Sequence, residues 1–101
     1  MKIEESGAGV TVHLPHEFTF KQYREFRACY QGRAPGVAYE IDFRQVKQMD
    51  TSALGMLLLL RSHCGENQAC IRLVHCNPAV RELLRVVMLD TLFCVADSVA
   101  A

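Results

Sequence analysis

Two adjacent hydroxyl side chains, Thr51 and Ser52, follow an aspartate at the point where a polar loop becomes an apolar run. Asp50 is a strong N-cap residue, because its carboxylate can accept hydrogen bonds from the free backbone N–H groups of the next turn. The sequence therefore predicts a helix that begins at Thr51. A helix start favours an anion, so a phosphate on either hydroxyl would be tolerated there. Residue type alone favours the simpler interpretation, in which both are ordinary helix-start residues.

The helix that follows Asp50 is apolar on nearly every side. Residues 53–60 read ALGMLLLL, and polar residues return only at 61–63. A glycine in a helix costs roughly 1 kcal/mol relative to alanine, so Gly55 predicts that something packs closely against the helix backbone. Two interpretations of the leucines remain open. The helix is either buried on all sides, or it exposes an apolar strip beside Thr51 that serves as a docking surface.

Length and composition exclude several classes of protein. A chain of 101 residues, half of them hydrophobic, is expected to form one domain over residues 1–101. The 11 basic and 11 acidic residues give a formal net charge of zero, which argues against a nucleic-acid surface. The apolar run 53–60 is too short to cross a bilayer, and residues 1–9 lack a signal-peptide core. We therefore expect no membrane insertion and a cytoplasmic location.

The five cysteines and two His-Cys pairs are the other candidates for chemistry. An odd cysteine count without an export signal indicates reduced thiols, most of them serving as core residues. His63-Cys64 and His75-Cys76 do not match the C-x-x-C or H-x-x-x-H spacing of zinc sites. No third orienting group or oxyanion loop accompanies them, as a nucleophilic site would require. We expect no metal, no cofactor and no enzymatic activity, and a small Cys-His enzyme is the weakest alternative.

Hydrophobic periodicity predicts an α/β fold with the element order β-β-α-β-α-β-α-β. Helical crossovers make the later strands parallel, which gives a mixed sheet with the helices mainly on one face. The first helix starts at Thr19 with a capping box to Gln22, and the third is capped by Asn77 with Pro78 at its first position. The predicted strands are 3–5, 10–14, 37–43, 70–75 and 92–95. The predicted buried stripes are Phe20, Tyr23, Phe26 and Tyr30 on the first helix, and Val80, Leu83, Leu84 and Val87 on the third.

The segment Asp50-Thr51-Ser52-Ala53-Leu54-Gly55, preceded by a strand and followed by Met56 to Leu60, resembles the signature loop of STAS domains. It is most similar to the bacterial anti-sigma factor antagonists, or anti-anti-sigma factors. The likeness extends over nearly the whole chain, since the order of elements also fits. It implies an anti-sigma factor antagonist-like STAS fold. In that family the residue directly after the Asp, usually a Ser, is phosphorylated, which implies Thr51 as the acceptor and Ser52 as the second candidate.

The resemblance also implies partners. Unphosphorylated antagonists bind an anti-sigma factor or a related regulator; a serine/threonine kinase, often the anti-sigma factor itself, disables them, and a PP2C-type phosphatase restores them. We expect a monomer in isolation, and a terminal helix after residue 95 that is truncated or absent. Antagonists often carry an Asp where Thr19 stands. The expected partner-binding residues are Met49, Asp50, Thr51, Ser52, Ala53, Leu54, Met56, Leu57 and Thr19.

A second likeness points to a different class of function. Small STAS subunits of ABC-type lipid transporters also carry Asp-Thr in the signature loop, as this chain does at Asp50 and Thr51. The alternative to a phospho-switch is therefore a structural STAS subunit of such a transporter complex.

Overall fold

A computed structural model describes residues 1–96 of the chain as seven strands and three α-helices. Five strands form the main sheet in the order β1-β2-β4-β6-β7. Within it β1 runs antiparallel to β2, whereas every other neighbouring pair is parallel. The predicted mixed sheet is confirmed. The strands are β1 (Lys2–Ser6), β2 (Gly9–His13), β3 (Glu17–Phe18), β4 (Tyr39–Asp42), β5 (Gln48–Met49), β6 (Ile71–Val74) and β7 (Cys94–Val95); the helices are α1 (Tyr23–Tyr30), α2 (Thr51–His63) and α3 (Pro78–Val86).

The alternation of residue types along the central strands separates the two faces of the main sheet. Val12, Ile41 and Leu73 lie side by side in register and are at most 1% exposed, because the helices cover this face. The next register row, Thr11, Glu40 and Arg72, remains partly or fully exposed on the other face. Side chains in a strand alternate between faces, so the helices lie on one face of the sheet, as the sequence predicts.

The predicted helix starts are also confirmed. The side chain of Asn77 accepts a hydrogen bond from the Val80 N–H at 2.9 Å, with Pro78 at the start of α3. Thr19 and Gln22 form the predicted capping box. The box opens a short 3₁₀ turn over Phe20–Gln22, however, and the regular α-helix begins only at Tyr23.

Two residues of the predicted buried stripes lie at the surface instead. Phe20 is 66% exposed and stacks on Tyr23, because the 3₁₀ turn has three residues per turn and rotates Phe20 out of the stripe of α1. Phe18 fills the core in its place, with its ring 5.2 Å from that of Phe26. Val87 is 41% exposed because α3 has already ended, and the chain turns into the left-handed conformation at Met88 (φ 62°).

The carboxyl end of the chain begins its last strand later than the periodicity predicts. Strand β7 begins at Cys94 rather than Leu92, because a 3₁₀ turn occupies Leu89–Thr91. The prediction for a terminal helix concerns residues 96–101, of which 97–101 lie outside the described residues. Within residues 1–96, no helix combines the length and the apolar character needed to cross a bilayer.

A second, two-stranded sheet was not predicted. Strands β3 and β5 pair in parallel, with Glu17 opposite Gln48 and Phe18 opposite Met49. The backbone carbonyl of His16, just before β3, accepts a hydrogen bond from the Lys47 N–H, just before β5, at 2.8 Å. This bond extends the pairing of the two strands by one residue. Each short strand is followed at once by a helix cap, Thr19 after β3 and Asp50 after β5. The small sheet therefore places the starts of the first and second helical segments side by side.

Candidate functional site

The N-terminus of α2 is built around the Asp50 carboxylate. Asp50 has extended backbone geometry, and its Oδ1 accepts a hydrogen bond from the Ala53 N–H at 3.2 Å. The same oxygen accepts from the Ser52 hydroxyl at 2.5 Å. Asp50 is thus the predicted helix cap, and one of its oxygens holds both a backbone N–H and a side-chain hydroxyl.

The two candidate acceptor hydroxyls have different environments. Ser52 is half-buried, and its hydroxyl proton is engaged by Asp50. Thr51 is exposed, and within residues 1–96 its hydroxyl makes no hydrogen bond. A phosphoryl donor would therefore reach Thr51 directly, whereas it would have to displace Ser52 from the cap. Of the two hydroxyls, that of Thr51 is therefore the more accessible.

Helix α2 exposes an apolar strip, so it is not buried on all sides. Leu58 is 39% exposed and Leu59 is 49% exposed. At about 100° of rotation per residue, the exposed positions of α2 fall within one arc of about 100°. This arc, called the α2 strip below, consists of Thr51, Gly55, Leu58, Leu59 and Ser62.

Four of the expected partner-binding residues are in the core and not on this strip. Ala53 and Leu57 are 0% exposed, Met56 is 3% and Leu54 is 7% exposed, so these side chains offer almost no surface in the structure of the chain alone. The sequence does not indicate this burial, because a helix with apolar residues all round carries no polar face to show its rotation. Asp50 is exposed and Met49 and Ser52 are half-buried, so these three remain accessible.

Gly55 also differs from the expectation. A Cβ atom placed on Gly55 would meet nothing within 4 Å, so no part of the described chain packs against its backbone. The residue lies instead at the surface of α2, between Thr51 and the exposed leucines. The helix therefore carries a residue of poor helix propensity at an open surface position.

Thr19 follows β3, which pairs with the strand before Asp50, and it lies beneath the surface. It is 6% exposed, and its oxygen accepts from the Lys21 N–H at 3.3 Å while its own N–H donates to Gln22 at 2.8 Å. Its hydroxyl also lies 3.3 Å from a carboxylate oxygen of Glu17. Thr19 thus stabilises its own turn beside Asp50, and its polar atoms are directed at its own neighbours.

The cysteines and histidines show no geometry for a metal or a nucleophile. Burial raises the pKa of the Cys76 thiol to about 11, and burial likewise raises the pKa of Cys64, so neither forms a ready thiolate. His75 is hydrogen-bonded to Arg44 at 2.8 Å, and His63 to a backbone carbonyl at 2.9 Å. Among residues 1–96, no group of three or more His, Cys, Asp or Glu side chains is placed to hold a metal ion.

Comparison with solved structures shows the same fold. An anti-sigma factor antagonist from Thermotoga maritima superposes with a TM-score of 0.80 at 14% identity, covering 98% of this chain and 87% of that one. The anti-sigma factor antagonist SpoIIAA in its unphosphorylated form gives 0.71 at 17% identity, covering 96% and 87%. The phosphorylated form of SpoIIAA, a Bacillus cell-fate determinant, gives 0.69 at 18% identity, covering 96% and 91%.

Comparison of sequences gives the family. A STAS-domain containing protein of Pseudomonas aeruginosa (strain UCBPP-PA14) is 39% identical over 88 residues, which is 86% of this chain and 87% of that protein. The family model described as the MlaB STAS domain matches residues 1–95. These residues include both sheets, all three helices and the α2 strip. The chain belongs to the STAS domain family.

Proposed function

We propose that the protein is an anti-sigma factor antagonist that works as a phospho-switch at Thr51. The observation that carries this proposal is the position of the Thr51 hydroxyl, which is exposed at the N-terminus of α2 and at one end of the α2 strip. A partner that covers the strip also covers this hydroxyl. A phosphate there is therefore placed where it can block binding.

The local geometry allows modification without loss of the fold. The Thr51 hydroxyl makes no hydrogen bond within residues 1–96, so phosphorylation removes no interaction that supports the helix. A phosphate adds about −1.5 to −2 charges beside Asp50. The N-terminal end of α2 offsets part of this repulsion, by roughly 0.3–1 kcal/mol.

Partner binding responds differently, because Thr51 lies one helical turn from Gly55, at one end of the strip that Leu58 and Leu59 continue. A partner in contact with these apolar residues would have to bury a hydrated dianion beside them, which is costly without a cationic partner. Loss of a central interface contact commonly costs about 2 kcal/mol, over tenfold in affinity. The unphosphorylated protein binds, and the phosphorylated protein is released.

We infer the partners by analogy with proteins that have the same fold. The neighbours described as anti-sigma factor antagonists include SpoIIAA, whose structure is known with and without phosphate. By analogy the partner is an anti-sigma factor or a serine/threonine kinase, with a PP2C-type phosphatase to reverse the modification. In this role the chain is a cytoplasmic binding protein and substrate, monomeric alone, rather than an enzyme.

A second candidate is a structural STAS subunit of an ABC-type lipid transporter. The match to a family model described as MlaB favours this candidate, as does the Asp50-Thr51 pair that small transporter subunits share. In that role the α2 strip would contact the transporter ATPase permanently, and Thr51 would be an interface residue rather than a switch.

A pull-down from native cytosol distinguishes the two. The wild-type protein is expected to recover an anti-sigma factor or kinase, Thr51→Ala to recover the same protein, and Thr51→Glu to lose it. Ser6→Glu is the matched control, because it adds the same charge to an exposed hydroxyl residue on β1, away from α2. Recovery of an ABC ATPase by the wild type would instead establish the transporter role.

A further inference from the structure

Both nitrogens of the His13 ring face carboxylates, on the side of the main sheet that the helices leave open. Nδ1 lies 3.1 Å from Oδ2 of Asp42 on β4, and Nε2 is in contact with Oε1 of Glu4 on β1. A neutral imidazole carries one N–H group, whereas the imidazolium carries two. Both contacts are therefore hydrogen bonds only while the ring is protonated. We call Glu4, His13 and Asp42 the β1 latch.

The two carboxylates of the β1 latch differ in what they lose when the ring becomes neutral. The Asp42 side chain is 10% exposed, and its Oδ1 already accepts a hydrogen bond from the Arg44 N–H at 2.8 Å, which fixes its position. The Glu4 side chain is 59% exposed. Water can replace a lost donor at an exposed carboxylate but not at a buried one. The hydrogen of the neutral ring therefore stays on Nδ1, and the contact between Nε2 and Glu4 is the one that is lost.

Strand β1 depends on such contacts because it buries no side chain. All five of its residues are exposed, including Ile3 at 38%. Within residues 1–96 it is held by its backbone pairing with β2 and by two ion pairs, Glu4 with His13 and Glu5 with Arg33. Segments with few buried apolar contacts open locally without unfolding the rest of a protein. Loss of one ion pair should therefore change how often β1 detaches.

The other charged groups around the ring keep their charge near neutral pH or are engaged elsewhere. They are Lys2, directly opposite His13 on β1; Arg44, whose guanidinium is hydrogen-bonded to His75 at 2.8 Å; and Glu40, paired with Arg72 at 3.5 Å one row further along the sheet. Carboxylates, lysine and arginine ordinarily hold their charges between pH 6 and 8, whereas histidine does not. Among the side chains in contact with β1, His13 is thus the one suited to respond to pH.

We propose that the β1 latch is a proton-sensitive device that controls the attachment of the edge strand. In the protonated state His13 joins Glu4 to Asp42 and so ties β1 to β4 across β2. As the pH rises, the proton on Nε2 passes to water and the contact with Glu4 is lost. Strand β1 then detaches more often, while the parallel strands keep their pairing. Its release leaves β2 as the edge strand of the main sheet.

Hydrogen exchange of the full chain, followed by mass spectrometry and expressed as protection factors, tests this proposal. Protection of residues 2–6 should fall by up to about fivefold between pH 6 and pH 8, the range expected for an exposed charge pair. Protection of α2 and β4 should not change. His13→Gln should show the lower protection at both pH values, because glutamine does not titrate. Glu4→Gln, which alters only an exposed side chain of β1, should likewise remove the pH dependence.

Two matched controls separate the latch from other effects of charge. Glu5→Gln breaks the ion pair with Arg33, which keeps its charge in this range, so it should lower the protection of β1 equally at both pH values. His16→Gln removes an exposed histidine whose side chain makes no hydrogen bond or ion pair within the described part of the chain. It should leave the pH dependence unchanged.

NMR of the His13 ring nitrogens tests the mechanism independently, because the neutral ring should be the tautomer with hydrogen on Nδ1. The tautomer with hydrogen on Nε2 would overturn the proposal. So would equal protection of wild-type β1 at pH 6 and pH 8, or a pH dependence that persists in His13→Gln. A loss of protection spread evenly over all strands would also contradict it, since that pattern indicates global rather than local opening.

Discussion

Removal of the Asp50 carboxylate tests the structural basis of the proposed switch. In Asp50→Ala the Ala53 N–H loses its acceptor, and the Ser52 hydroxyl loses the oxygen to which it donates. Loss of an N-cap costs about 0.5–2 kcal/mol. Asp50 is exposed, so water can replace part of the bonding, and we expect about 1 kcal/mol. For a domain of this size that corresponds to a fall of about 4–8 °C in melting temperature.

Thermal unfolding followed by circular dichroism at 222 nm measures this change. Asp50→Asn is the matched control, because its amide oxygen can still cap Ala53 while the charge is lost. It should therefore melt between the wild type and Asp50→Ala. An Asp50→Ala variant that melts with the wild type would show that the carboxylate does not stabilise α2, and the assigned start of the helix would be wrong.

The remaining predictions concern the core and the thiols. The Tyr39 hydroxyl is buried without a hydrogen-bond partner in the described part of the chain, so Tyr39→Phe should raise the free energy of unfolding by about 1 kcal/mol; a destabilised variant in urea titration would reveal a partner for this hydroxyl. Burial raises the pKa of Tyr39 to about 12 from an ordinary value of 10.0. The free energy of unfolding should therefore not depend on this group below pH 10 and should fall as the pH rises from 10 to 12, because the unfolded chain loses the Tyr39 proton first. Tyr39→Phe should lack that fall, and equal alkaline profiles would contradict the assignment. Exposed Cys70 and Cys94 should react with a thiol reagent at pH 8 in the native protein, whereas buried Cys76 should react only after unfolding; metal analysis should find no stoichiometric zinc, and zinc whose chelation unfolds the protein would refute the assignment of free thiols.

The helix caps could be predicted because the hydrogen bonds that form them join residues close together in the sequence. Asp50, Asn77 and Thr19 each bond to a backbone or side-chain group within three residues, so the residue types near each helix start contain the whole interaction. The central strands were predictable for a similar reason, since alternation over several residues indicates which face is buried.

The pairing of β3 with β5 could not be read from the sequence in the same way. Each strand has two residues, which is too short to show a period of two. Strands β3 and β5 are about 30 residues apart in the chain. They meet only because the main sheet and the helix layer bring together the two loops that contain them. This contact places Thr19 beside Asp50, so the immediate surroundings of the proposed switch depend on tertiary structure.

The rotation of α2 was equally unpredictable. Leu57 and Leu58 are neighbours of the same residue type, yet one is 0% exposed and the other is 39% exposed. Only the packing against α1 and the sheet determines which leucine faces outward. For the same reason the position of Gly55 in the open strip became apparent only from the structure.

The central claim is that a single phosphate on Thr51 releases the partner while the fold remains intact. Its most direct test is the partner affinity of stoichiometrically phosphorylated protein, with the phosphate located by mass spectrometry and the fold checked by circular dichroism. We predict phosphate on Thr51, an unchanged spectrum and affinity reduced more than tenfold, with Thr51→Ala binding normally and resisting the kinase. Phosphate on Ser52 alone would move the switch by one residue. Normal partner binding by the fully phosphorylated protein would contradict the mechanism.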